Sequence, residues 1–347
     1  IGGIVIFIPQ IAFLFLFISI LEESGYMSRV VFLMDRVMRR FGLSGKSLVP
    51  LISGTACAIP AVMATRNIEN WKERLITILV VPFTTCSARL PVYLIIIALV
   101  IPDGSIIGLS YQALTLMALY LLGFGMAIFS AYILDRVLKT KHKTFFVVEM
   151  PNYKLPLLKN VIITVIEKTK TFVFEAGKII LAISIILWVM ASYGPGDKFN
   201  NAESYVKETS ASQSTSELND QIAAFKLEHS YIGIVGKTIE PLIKPLGYDW
   251  KVGIGLVASF AAREVFVGTL ATIYSVGSAG EGENIETIKT KMANETYADG
   301  TKVFTLASGI SLLLFYAFAM QCMSTLAIVR RETKTWKWPI LQLIGMT

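Results

Sequence analysis

The chain has 347 residues, of which 54% are hydrophobic and 16% charged, with a formal net charge of +7 and a mean hydropathy of +0.61. A soluble domain of this length carries about 25% charged residues, so this composition excludes a water-soluble globule. The basic excess is gathered in clusters that fit membrane topology, and no nucleic-acid partner is expected.

Four uncharged runs, Ile1–Leu21, Gly104–Leu134, Ile179–Gly196 and Val303–Val329, are near or above the roughly 18 apolar residues that mark a membrane-spanning helix. The first has no basic leader or small-residue cleavage site, so it is read as a span and not as a signal peptide. A further apolar run opens at Trp336, and both ends of the chain are expected to fall within membrane segments.

Basic residues cluster at Arg29–Lys46, Arg66–Arg74, Arg136–Lys170 and Arg330–Lys337, all assigned to the cytoplasmic side. Segments 194–249 and 277–302, rich in Ser, Thr, Asn and acids, read as external loops. One topology satisfies every cluster. Residues 4–21 run inward, 23–46 form an amphipathic cytoplasmic helix, and 47–65 dip into the membrane and return. Residues 75–101 run outward, 109–135 inward and 171–193 outward. Segment 250–276 dips from outside, and 303–329 runs inward.

FGLSGKSLVPLISGTACAIPAVMAT (41–65) lies over LGYDWKVGIGLVASFAAREVFVGTL (246–270) without a gap, matching Gly42 to Gly247, Lys46 to Lys251 and Ala56 to Ala261. The expected fold is an all-α polytopic membrane protein with an inverted-topology repeat and two re-entrant, broken hairpins. Its blocks are a first repeat at 1–135, a cytoplasmic basic linker at 136–170 and a second repeat at 171–347.

Three motifs carry the candidate chemistry: SGTACAIPA (53–61), PFTTCSARLPVY (82–93) and AFAMQCMSTLA (317–327). Cys57, Cys86 and Cys322 each sit within a few residues of Pro, Gly, Ser or Thr, which free backbone carbonyls or add hydroxyls. Pro60 and Ser87 are the candidates for shaping these breaks, and Met320 adds a thioether. Soft sulfur ligands suit late or borderline transition metals. The same cysteines also fit as small apolar fillers in helix packing.

Arg89, Glu175, Lys178, Arg263 and Glu264 are charges at membrane depth, where each needs a reason. Glu175 and Lys178 are three apart on one helix and are expected to pair. Glu264 could face a cation at the tip of the second dip. Alternatively it forms an ion pair with Arg263 or Arg89 that ties the hairpins together. GLSGKS (42–47) fails the phosphate-loop spacing, the three cysteines imply no disulfide framework, and no catalytic triad or zinc spacing occurs. The chain is read as a non-enzyme.

LEESGYMSRVVFLMDRVMRRFGLSGKSLVPLISGTACAIPAVMATR (21–66), ERLITILVVPFTTCSARLPVY (73–93), AAREVFVGTLATIY (261–274) and RRETKTWKW (330–338) together resemble the membrane domain of the FeoB ferrous-iron transporters. The likeness runs through nearly the whole chain. It implies that the two dips are the family's gate motifs, with hairpins similar to those of concentrative nucleoside transporters. Carried over by position, Cys57, Cys86 and Cys322 match the family's gate and CSARLP cysteines. Ala58 stands where the family commonly has Asn, and Gln321 where it often has Pro.

The resemblance further implies Fe²⁺ as the transported substrate, with no tightly bound cofactor, in the bacterial inner membrane. A GTP-binding domain would precede this segment in the same polypeptide, and GTP hydrolysis would belong to that domain alone. Small cytoplasmic accessory proteins, the lipid bilayer and further copies of the chain are the expected partners. The alternatives are an organic-solute transporter, such as one for a nucleoside, on the same hairpin scaffold, and a non-transporting gate-type protein.

Overall fold

The computed structural model describes residues 2–102, 104–106, 108–138, 153–195, 199, 201, 222, 225–260, 263, 265–273, 292, 302–319 and 322–346. Backbone alone is described at residues 2–7, 10, 11, 106, 172, 175, 176, 180, 242, 271 and 272. The first eight helices are α1 (Gly2–Glu23), α2 (Tyr26–Met38), α3 (Leu48–Ala56), α4 (Ala58–Ala64), α5 (Trp71–Val80), α6 (Leu90–Val100), α7 (Tyr111–Val137) and α8 (Leu158–Ser192). They are followed by α9 (Tyr231–Ile243), α10 (Trp250–Ser259), α11 (Val265–Ile273), α12 (Leu306–Phe318), α13 (Met323–Thr333) and α14 (Lys337–Met346). A short antiparallel ladder, β1 (Ser105–Ile106) with β2 (Leu109–Ser110), pairs Ser105 with Ser110 and turns the chain between α6 and α7.

Among the described residues, three helical stretches are long and apolar enough to cross a membrane: Trp71–Val100, Tyr111–Val137 and Leu306–Thr333. The 27 residues of α7 extend about 40 Å at 1.5 Å per residue, more than a hydrocarbon core of roughly 30 Å. The other two stretches are not single helices. Residues 84–86 interrupt the first, and in the other α12 ends at Phe318 before α13 starts at Met323. α8 differs from expectation, because it starts at Leu158 and takes in Lys159, Lys168 and Lys170. Pro156 lies just before its start and no proline follows within it, so nothing in that part of the expected linker stops the helix.

The chain forms two compact units, one of residues 1–87, 119–181 and 317–347, the other of 88–118 and 182–316. Each draws on both halves of the sequence. The first unit is built around Leu43, Leu51, Ile59, Val62, Ile76, Val81 and Ala127, with Ile328 and Val329 from α13. In the second, Ile232, Ile254, Ala258 and Ile273 gather with Leu187 and Met190 of α8.

Elements recur at the 205-position offset on which 41–65 aligns with 246–270. α2 and α9 lie 205 positions apart at both ends, as do the 3-10 turns Arg39–Phe41 and Lys244–Leu246. Gly42 (φ 73°) and Gly247 (φ 81°) follow in the left-handed region. In the first copy, Leu43 N–H donates to Met38 O at 3.2 Å and Gly42 N–H to Arg39 O at 3.3 Å. The second copy repeats both bonds, Tyr248 N–H to Ile243 O at 3.4 Å and Gly247 N–H to Lys244 O at 2.9 Å. This pair of bonds closes a helix on a residue that avoids the Cβ penalty of positive φ. Two short helices follow in each copy and pack on one another, α3 on α4 and α10 on α11. At 9 and 7 residues, α3 and α4 reach about 14 and 11 Å, roughly half a hydrocarbon core or less.

A Cβ on Gly42 would stand 2.3 Å from the Cβ of Asp135, in addition to the positive-φ penalty. Gly42→Ala is expected to destabilise the protein by about 2 kcal/mol or more, given roughly 1–2 kcal/mol for a left-handed non-glycine before any clash. A thermal-unfolding series in detergent against Gly345→Ala, where a Cβ meets open space, checks this.

Candidate functional site: three cysteine-bearing helix breaks

Each cysteine occupies an interruption between helices. Cys57, with φ −156° and ψ 133°, is a single extended residue between α3 and α4. Its N–H closes α3 on Ser53 O at 3.1 Å, and its carbonyl opens α4 by accepting from Ala61 N–H at 3.4 Å. Cys322, with φ −112° and ψ 103°, stands in the same way ahead of α13. Cys86 ends the irregular stretch 84–86 between two 3-10 turns, Val81–Phe83 and Ser87–Arg89. All three are partly buried thiols of the first compact unit, and none is held in a disulfide.

Local chemistry explains the middle break. Pro82 has no N–H, so the carbonyl of Ile78, four residues before it, loses its helical donor. Gln342 of α14 supplies one, with Nε2 donating to Leu79 O at 2.9 Å and Ile78 O at 3.3 Å. Thr84 turns its hydroxyl back to Val81 O at 2.7 Å. Small residues let neighbouring helices close on this irregular backbone. A Cβ on Gly54 of α3 would lie 2.5 Å from Thr84 Oγ1, and one on Gly123 of α7 would lie 2.8 Å from Thr85 Oγ1. The Thr85 hydroxyl and that of Ser324, two residues after Cys322, are buried without a hydrogen-bond partner among the described residues.

The breaks are drawn towards one another. Ser87 Oγ donates to Ala56 O at 2.9 Å, which joins the residue after Cys86 to the residue before Cys57. α13, headed by Cys322, packs on α4, headed by Cys57. Cys57 itself packs against the cluster that holds Ile328 and Val329. Among the described residues, no group of three or more His, Cys, Asp or Glu side chains comes together.

Pro60 is buried in α4. Arg89 is 1% exposed and stands at the start of α6, in the second unit. Arg263, also in that unit, is 6% exposed and donates from Nη1 to Tyr316 O at 3.1 Å. Tyr316 lies in the last turn of α12, where carbonyls lack helical donors, so this guanidinium caps a helix end, a role the sequence did not indicate. Lys178 is exposed on α8, while the Glu175 side chain, Glu264 and Met320 lie outside the described residues.

Sequence reasoning missed a buried carboxylate. Glu332, its side chain 4% exposed, receives Arg66 Nη2 at 2.5 Å and Nε at 3.0 Å on Oε1, and Arg74 Nη2 at 2.6 Å on Oε2. Its signal is a lone acid in RRETK (330–334), a segment whose positive charge otherwise sets its reading. Beside this clamp, a cavity of about 190 Å³ opens between α1, α3, α4 and α8, lined by Glu22, Ser53, Pro60, Met63, Arg66 and Lys168 among others.

Broken apolar helices of this kind define an all-α, gate-type membrane protein. The gate family described as "Nucleoside recognition" matches residues 4–100 and 173–336, and the family described as "Ferrous iron transport protein B C terminus" matches 116–168. The Fe(2+) transporter FeoB of Leptospira interrogans (strain 56601) is 46% identical over 348 residues, covering 100% of this chain and 47% of that protein. That of Staphylococcus aureus (strain MSSA476) is 36% identical over 346 residues, covering 99% and 45%. The Fe(2+) transport protein A/Fe(2+) transporter FeoB fusion protein of Porphyromonas gingivalis is 35% identical over 354 residues, covering 99% and 41%. The chain belongs to the FeoB family, and it spans about half the length of the curated relatives it matches. No solved structure matches it.

Replacing Gln342 by Leu keeps a side chain of similar size on α14 but strips the donor from Ile78 O and Leu79 O. The expected loss is about 1–3 kcal/mol for orphaning buried acceptors. A lowered unfolding midpoint for Gln342→Leu, measured beside Leu341→Gln at the exposed neighbouring position as a control, is the check.

Proposed function

We propose that this chain forms the membrane path of a ferrous-iron importer, with the cysteine-bearing breaks lining the route. The observation that carries the reading is that all three cysteines of the chain stand at interruptions of apolar helices within one compact unit. Irregular backbone at membrane depth is tolerated where it lines a cavity or is buried in protein. The relatives' names supply the substrate, Fe²⁺. An organic-solute transporter on the same scaffold has no support in those names.

In this reading Cys57, Cys86 and Cys322 contact the ion in turn, with Met320 and Glu264 as further ligands from segments outside the described residues. The hydroxyls of Thr85 and Ser324, without a partner among the described residues, offer oxygen donors near two of the thiols in sequence. Fe²⁺ lies low in the affinity order of divalent metals, so raw affinity does not select it. Transient contacts by one or two ligands at a time replace part of the hydration shell and still release the ion. Pro60 and Ser87 shape the breaks, and Arg89 and Arg263 hold hairpin geometry without touching the metal. Lys178 with Glu175 steadies α8.

The two repeats enter the membrane from opposite sides, as an inverted pair with hairpins like those of concentrative nucleoside transporters. The protein sits as a multi-pass component of the bacterial inner membrane. A GTPase domain of the same polypeptide regulates the path, and the Porphyromonas fusion supports a small accessory protein, Fe(2+) transport protein A, as a partner. Self-association in the bilayer completes the proposed assembly.

Fe²⁺ uptake into proteoliposomes under reducing conditions, using the full-length protein, tests this reading. Cys57→Ser, Cys86→Ser and Cys322→Ser are expected to slow uptake by about tenfold or more where a thiol contact is lost from the path, with folding and GTP hydrolysis retained. Parental uptake in all three would assign the cysteines to packing and overturn the path.

A further inference from the structure

The Glu332 clamp joins the same three helical segments that carry the cysteines, and it joins them at their far ends. Arg66 follows the C-terminus of α4, nine residues beyond Cys57. Arg74 lies in the first turns of α5, twelve residues before Cys86. Glu332 lies in the last turn of α13, ten residues beyond Cys322. At 1.5 Å per residue or more, each thiol stands about 14 to 18 Å along its segment from the carboxylate that ties all three together.

We infer that Glu332 is a positioning residue for the ion path: by holding Arg66 and Arg74 it keeps α4, α5 and α13 in one axial register, and with them the three cysteine-bearing breaks. This rests on the reading of those breaks as the route of the ion. The two guanidiniums leave both carboxylate oxygens occupied, with Arg66 contributing two of its nitrogens. A buried ion pair is poor evidence for added stability and better evidence for specified geometry, because its Coulomb gain is largely offset by desolvation. A planar guanidinium also fixes direction as well as distance, which a lysine in the same place would not.

The clamp predicts a pattern of coupling that a local structural role does not. Sliding α13 against α4 would misplace Cys322 relative to Cys57 without unfolding either helix. Losing Arg74 alone would release the α5 segment, while Gln342 still holds its carbonyls at Ile78 and Leu79.

The test follows alkylation of each native cysteine by N-ethylmaleimide in the full-length protein in proteoliposomes, read by mass spectrometry. Glu332→Gln is expected to raise the rates at Cys57, Cys86 and Cys322 together by about tenfold, the change expected when one charge-assisted bond no longer opposes local opening. Arg66→Gln should act chiefly at Cys57 and Arg74→Gln chiefly at Cys86, and Glu332→Asp should recover part of the parental protection. The inference is overturned if Glu332→Gln alters only Cys322, or if each arginine variant raises all three rates equally as a general loosening would. Should Glu332→Gln not fold, the two arginine variants decide the matter by the same criterion. Fe²⁺ uptake in the same variants separates the two readings. Coupled alkylation with parental uptake would retain the clamp and overturn the breaks as the ion's route.

Discussion

Hydrocarbon supplies no water to a broken helix, and this constraint organises the molecule. Every interruption at membrane depth leaves carbonyls and N–H groups that must find partners inside the protein. Three of the partners found are side chains from distant segments. Gln342 serves the carbonyls that Pro82 leaves open, Ser87 serves Ala56, and Arg263 serves Tyr316. An unmet carbonyl would cost about 1–3 kcal/mol, so each of these contacts matters more as a condition of the fold than as an increment of stability. The breaks are therefore among the most tightly specified parts of the chain, although they are the least regular.

The two segments related by the 205-position offset share their order of elements but differ in how their paired short helices are separated. In the first, Cys57 both ends α3 and begins α4, so one extended residue separates two helices. In the second, five positions separate α10 from α11, and Arg263 within them caps the end of α12. A thiol leaves a small, soft group at the first break, whereas the second uses a long cation to hold a neighbouring helix. Among the described residues, the first break thus carries a thiol and the second a guanidinium tie to a neighbouring helix.

Much of this plan was legible in the sequence because it rests on local rules. Two of the four uncharged runs coincide with the spanning stretches Tyr111–Val137 and Leu306–Thr333, and the alignment of Gly42 with Gly247 pairs two positions whose left-handed turns only the structure shows. Pro82 and the cysteine motifs mark the breaks. The start of α8 departs from expectation because a basic segment reads as linker, while charge sets topology and does not by itself end a helix. Glu332 and Gln342 escape for a different reason. Their partners lie more than 250 positions away, and nothing in RRETK or in the last apolar run says which segment will fold against it. Long-range satisfaction of a buried group is set by tertiary packing, which a single sequence encodes without displaying.

The charges at the far ends of the cysteine-bearing segments bear on how a cation could approach the breaks. Arg66 and Arg74 would repel Fe²⁺ if no anion faced them, but both are directed at Glu332, which removes part of the local positive field. The thiols stand singly, one to a break, and among the described residues they form no closed group with His, Asp or Glu. A cage of three or four soft ligands would hold a transition metal tightly and turn a path into a store. On the proposed path, single thiols on separate helix ends would make each contact incomplete, so that the ion would keep part of its water and the next ligand could compete for it. Such a relay works only while the ends keep their spacing, since a shift of a few ångströms turns a handover into a gap. If the proposed path holds, the ties made by Gln342, Ser87 and Glu332 would serve the ion by keeping that spacing.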